Sequence, residues 1–146
     1  MEYQDRMIVL DTDILIDFLK GRELAVNIIR GLIESKVRLA TTAINIFELS
    51  WGAYRVGRTR DVEELCEILE ILNLTSREAS KAGEEIAYLY SIGQPIDVRY
   101  LLIGIIAREN GYSILTGNTG HLNKNTRIKS DTISIGVLVH SSLGCF

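Results

Sequence analysis

The sequence predicts an α/β domain with a central, mainly parallel five-stranded sheet covered by helices on both faces. Two observations carry this. Short, nearly continuous apolar runs alternate along the chain with longer segments of helical period, the pattern of strands buried on both sides. The 146 residues fit one domain, 1–146, with the polar residues 1–6 expected as a flexible tail.

The elements follow in order. Met7-Ile8-Val9-Leu10 is a β-branched apolar run ending at Asp11, which reads as a buried strand. A helix carrying Ile14, Leu15, Ile16, Phe18 and Leu19 follows, with Asp13 placed to cap it and Gly21 to end it. Leu24 to Ser35 is amphipathic, 37–41 is a second strand, and Thr42 caps a helix over about 43–56. Asp61 to Leu69 reads as helix and 71–74 as strand, with Thr75 or Ser76 capping a helix to Ser91. Gly93-Gln94-Pro95 is a loop, 101–110 an apolar helix closed by Gly111, 112–116 a fourth strand and 132–139 a fifth.

Composition excludes several classes. Sixteen Lys and Arg against nineteen Asp and Glu give a net charge of −3, which excludes a uniformly basic nucleic-acid binder but not local basic patches. No apolar run approaches the ~20 residues of a membrane span. The N-terminus lacks the apolar stretch of a signal peptide, and Cys66 and Cys145 are too few and too far apart for a disulfide framework or zinc knuckle. A cytoplasmic protein with no membrane association is expected.

In open α/β sheets ligands bind beyond the carboxyl ends of the strands. Asp11 and Asp13 follow the first strand, Thr41 and Thr42 the second, and Asn118 and His121 the fourth; Glu48 lies one to two turns into its helix. Asp97 lies at the same end of the sheet. Clustered carboxylates raise one another's pKa unless a cation neutralises them, and hard oxygen donors suit Mg²⁺ or Mn²⁺. Metal-assisted phosphodiester hydrolysis is the chemistry that fits such a cluster.

Some of these residues have plainer readings. Asp13 reads at least as well as a helix cap, Asp17 as a solvated helix residue, and Asp97 equally as a cap or a site carboxylate. Asn118 and His121 alone read as loop residues, and His140 as solvent-exposed. Glu48 is different, because a carboxylate among Ile44, Phe47, Leu49 and Trp51 must be paired or bind something. Trp51, Tyr54, Tyr88 and Tyr90 read as core or as dimer contacts. Trp51 to Arg60 holds Arg55, Arg58 and Arg60 without an acid, and 119–130 holds Lys124, Arg127 and Lys129 without one. Either stretch is a candidate RNA-backbone contact.

The segment Met7-Ile8-Val9-Leu10-Asp11-Thr12-Asp13-Ile14-Leu15-Ile16-Asp17 resembles the opening strand and turn of PIN-domain ribonucleases, especially the VapC toxins of VapBC toxin–antitoxin pairs. Ile46-Phe47-Glu48-Leu49 with Gly52, Pro95-Ile96-Asp97 with Leu101-Leu102-Ile103-Gly104 and Ala107, and Leu115-Thr116-Gly117-Asn118 with His121-Leu122 are similar to that family's later motifs, in order. The resemblance implies a three-layer α/β/α fold and Mg²⁺- or Mn²⁺-dependent endoribonuclease activity. It makes Asp11, Glu48 and Asp97 metal ligands and Asn118 a further catalytic position, supported by Thr12, Asp13 and Thr116. It also implies an RNA substrate, an antitoxin partner and a homodimer.

The third motif departs from the family pattern, with Tyr100 where an Asp usually precedes the Leu-Leu-Ile run and Asp97 one turn earlier. One alternative is therefore a catalytically weak module that binds RNA or protein. A second is a haloacid-dehalogenase-type phosphatase, on the strength of Asp11-Thr12-Asp13, although no Gly-Thr pair or late Asp pair follows.

Overall fold

A computed structural model describes residues 7–117 and 132–134. Its elements are β1 (Met7–Leu10), α1 (Thr12–Leu19), α2 (Glu23–Glu34), β2 (Arg38–Thr42), α3 (Ala43–Val56), α4 (Thr59–Ile68), β3 (Glu70–Leu72), α5 (Ser76–Ser91), α6 (Val98–Glu109), β4 (Ser113–Thr116) and β5 (Thr132–Ser134). The sheet order is β3-β2-β1-β4-β5 with every neighbouring pair parallel. The chain builds outward from β1 through β2 to β3, then returns to the other side of β1 with β4. The strand order therefore reverses between β1 and β4, and that crevice is where an open parallel sheet offers a site.

Strand pleating sorts the core into layers, because successive side chains point to opposite faces. Ile8 and Leu10 join Ile14, Leu15, Ile29, Leu49, Leu65 and Leu115 on one face, under α1, α2 and α4. Val9 points the other way and packs with Ala40, Ile103, Ile106 and Ile114 beneath α6. Helix α5 docks on α6 through Ala82, Leu89, Leu101 and Ile105. The result is the expected three-layer α/β/α arrangement.

Local chemistry explains the boundaries, including those the sequence misplaces. Asp11, not Asp13, caps α1: its carboxylate accepts from Thr12 N at 2.8 Å, while its own N–H continues the sheet to the Leu115 carbonyl at 3.0 Å. Thr42 ends β2 and caps α3 in a box with Asn45, and Thr75 rather than Ser76 caps α5 in a box with Glu78. Gly57, at φ 73°, closes α3 in the left-handed conformation that glycine adopts without strain. Helix α4 starts at Thr59, two residues before the expected Asp61. Strand β3 runs Glu70–Leu72 rather than 71–74, and Glu70 is held there by Arg38 of β2 and the Tyr112 hydroxyl.

Asp17 is buried rather than solvated and pairs with Arg22 at 3.1 Å, tying the end of α1 to the start of α2. Trp51 and Tyr54 are exposed rather than core, and so are Tyr88 and Tyr90. Among the described residues no helix is long and apolar enough to cross a membrane. Ile106 is fully buried against the sheet. Ile106→Ala should lower stability by ~2–5 kcal/mol in denaturant unfolding, the range for deleting a close-packed aliphatic chain.

Candidate active site

The crevice between β1 and β4 is built on a buried acid. Asp11 is only 6% exposed. Its Oδ1 accepts from Thr12 N at 2.8 Å and from the Asn45 side-chain amide at 2.9 Å, and its Oδ2 accepts from the Thr116 hydroxyl at 2.7 Å. Each donor comes from a different element: the start of α1, the first turn of α3 and the end of β4. Burial pushes the Asp11 pKa up, and these hydrogen bonds oppose the shift by favouring the carboxylate.

Thr12 extends the network. Its hydroxyl accepts from Asn45 Nδ2 at 2.9 Å and donates to Glu48 Oε1 at 3.0 Å. Asn45 and Glu48 stand three residues apart on α3, so one helical turn presents both to the Asp11–Thr12 corner. Glu48 is half-buried, and desolvation raises its pKa, with the Asp11 charge adding to the rise. Its other oxygen meets Arg99 at 3.3 Å.

Asp13 lies beside Asp11 and accepts from Ile14 N at 2.8 Å and Gly117 N at 2.9 Å, clamping α1 to the turn after β4. Burial, then the Asp11 charge, pushes its pKa up to about 7. Asp97 caps α6 through Arg99 N at 2.8 Å and reaches the crevice through the Arg99 guanidinium, which also bridges to Glu48. The cap reading of Asp97 is the one this geometry shows, with the Arg99 guanidinium standing between its carboxylate and Glu48. Tyr100 is half-buried on the next position of α6.

Other expected residues fall differently. Arg58 pairs with Asp61 at 2.6 Å and Arg60 with Glu64 at 3.2 Å, so the basic stretch of 51–60 is largely balanced by acids one turn further on. Arg55 is exposed on α3. Asn118, His121, Lys124, Arg127 and Lys129 lie outside the described residues. Sequence reasoning missed Asn45 and Arg99. Asn45 stands one turn before Glu48, a signal that was available; Arg99 carried none beyond its place beside Asp97.

A hard divalent cation fits the oxygen donors. Asp11 and Glu48 are joined through Thr12, whose backbone N–H donates to the first and whose hydroxyl donates to the second, and burial raises both pKa values, a shift that a bound cation would oppose. Among the described residues no group of three or more His, Cys, Asp or Glu side chains gathers into a metal centre. A pair suffices for Mg²⁺, which is commonly held by one or two carboxylates with water and substrate oxygens completing its shell.

The PIN domain family model matches residues 8–125. Three solved structures show the fold these residues share. One is VapBC2 from Rickettsia felis bound to a promoter DNA fragment: 19% identity, TM-score 0.74, covering 88% of this chain and 98% of that one. Another is VapBC-1 from nontypeable Haemophilus influenzae: 24% identity, TM-score 0.72, covering 88% and 96%. The third is DNA-bound VapBC from Salmonella typhimurium: 24% identity, TM-score 0.72, covering 88% and 97%. No curated protein matches the chain.

The site chemistry predicts a pH signature. A carboxyl whose pKa is higher folded than unfolded binds its proton more tightly in the native state, so ionising it costs stability. For Asp13, raised from 3.8 to about 7, stability should fall as pH rises through that interval. In chelator, the melting temperature of Asp13→Asn should decline less steeply than that of the unmodified protein between those pH values; parallel slopes would contradict the assignment.

Proposed function

The chain belongs to the PIN domain family, and from that premise we propose that it is a Mg²⁺- or Mn²⁺-dependent endoribonuclease, the toxin of a VapBC-type toxin–antitoxin pair. The observation that carries this reading is that Thr12 joins Asp11 to Glu48, its backbone N–H donating to Asp11 and its hydroxyl to Glu48, at the point where the strand order reverses. Asp11 and Glu48 are the side chains that would hold the ion. When bound, it would supply water of lowered pKa and positive charge opposite the phosphodiester. Asn45 and Thr116 fix the Asp11 carboxylate so that little reorganisation remains at the moment of reaction. Asp97 supports the third acidic position from one turn before Tyr100, and Asn118 is proposed for the fourth. Arg55, Lys124 and Arg127 are proposed contacts for the RNA backbone, with Arg58 and Arg60 weaker candidates because each has an acidic partner.

Two apolar surfaces support partners. A cavity of about 390 Å³ between α1, α2 and α4 is lined by Leu15, Phe18, Ile29, Ile33, Leu65 and Ile68. Phe47, Trp51 and Tyr54 form an exposed aromatic stripe on α3, with the Phe47 and Trp51 rings 6.2 Å apart. An antitoxin and a second copy of the chain are the proposed occupants, in line with the toxin–antitoxin complexes that share the fold. A cytoplasmic location is part of the same proposal.

Tyr100 favours a second reading, a module that binds RNA without cutting it, since a phenol of pKa about 10 is a poor ligand for a hard cation. The phosphatase alternative gives way to the family assignment. A cleavage assay on structured RNA with Mg²⁺ or Mn²⁺, then with chelator, separates the readings. Metal-dependent cutting is expected, with Asp11→Asn lowering the rate by ~100-fold or more, the scale of losing a group that acts in the transition state. Asn45→Ala should lower it about 10- to 100-fold, as expected for a residue that orients a metal ligand. Full activity in Asp11→Asn would overturn the nuclease reading, and RNA binding without cleavage would favour the module.

A further inference from the structure

Arg99 has no role in the nuclease reading, yet among the described residues it is the cation paired with the acids of the crevice. It occupies the second position of α6, where the N-cap Asp97 accepts from its backbone N–H. Its guanidinium grips Asp97 at two points, Nε to Oδ1 at 3.3 Å and Nη2 to Oδ2 at 3.1 Å. The remaining nitrogen, Nη1, reaches Glu48 Oε2 at 3.3 Å. The two-point fork fixes orientation, whereas the single contact to Glu48 is the weaker and more exchangeable arm.

We propose that Arg99 is the resident counter-ion of this site: anchored on Asp97, it occupies Glu48 and competes with a divalent cation for that carboxylate, and so sets the metal affinity. The inference rests on the proposed metal-binding role of Asp11 and Glu48. A half-buried carboxylate has to be paired, and Glu48 divides its oxygens between the Thr12 hydroxyl and Arg99. A cation taking Glu48 must displace that arm or sit beside a like charge, and either lowers its affinity. The Asp97 fork keeps the guanidinium at the rim after the arm lets go, so the competitor stays at high local concentration. Glu48 has a side-chain exposure of 22% and Arg99 one of 49%, so solvent screens the pair and the competition amounts to a few-fold.

Mn²⁺ titration of the full chain by calorimetry tests this, with folding checked by circular dichroism. Arg99→Gln should bind Mn²⁺ about two- to fivefold tighter than the unmodified protein, the worth of a screened ion pair expressed as a binding ratio. Arg99→Lys keeps the charge but loses the fork, so its affinity should fall between the two. That variant carries the test by itself if the glutamine variant fails to fold. Mn²⁺ affinity unchanged or weakened in both variants, with the unmodified protein still binding, would overturn the counter-ion role alone. Absence of Mn²⁺ binding in every form, including the unmodified protein, would overturn the metal-site reading and this inference with it.

Discussion

The buried carboxylate of Asp11 is the constraint from which the site is built. A charged group so far from water survives folding only if its oxygens are bonded, and here the donors come from three separate parts of the chain. The sheet makes this possible. Asp11 N continues the ladder to Leu115, which sets the acid at the end of β1 beside the Thr116 hydroxyl at the end of β4. Helix α3 then has to start where Asn45 can reach the other carboxylate oxygen, and the Thr42–Asn45 capping box holds it there. One buried charge thereby ties a strand end, a helix start and a second helix into a single register.

The same network determines what the crevice can do. Thr12 both receives from Asn45 and donates to Glu48, so the position of Glu48 depends on the groups that satisfy Asp11. Asp13, clamped to Gly117, adds a third acid whose ionisation burial and Asp11 oppose. Acid piled on acid in a partly desolvated corner is unfavourable without positive charge. Arg99 supplies part of that charge from one side, and a divalent cation is the proposed source of the rest.

Much of this was legible in the sequence, and the reason lies in which residues carry local information. The run Met7–Leu10 followed by Asp11-Thr12-Asp13 announces a strand end loaded with acids, and Glu48 announces itself by being charged in an apolar segment. Which aspartate caps α1 was not legible, because both have suitable side chains and only the pairing of Asp11 N with Leu115 decides it. Asp17 reads as exposed until Arg22, beyond the helix end, folds back on it. Arg58 and Arg60 look unopposed within 51–60, since their partners Asp61 and Glu64 lie just beyond that stretch in α4. Arg99 is hardest to foresee. A charged residue in a first helical turn is ordinary, and its contact with Glu48 spans 51 positions of sequence.

Asp11 and Glu48 are the proposed ligands of a divalent cation in the crevice between β1 and β4. Anomalous diffraction from crystals grown with Mn²⁺ would locate that ion. An anomalous peak is expected within about 2.0–2.2 Å of carboxylate oxygens from both residues, near-ideal spacing for small divalent ions bound by oxygen, with Arg99 drawn off Glu48 and still on Asp97. A crevice without that peak at saturating Mn²⁺, with Glu48 still bonded to Arg99, would contradict the proposal.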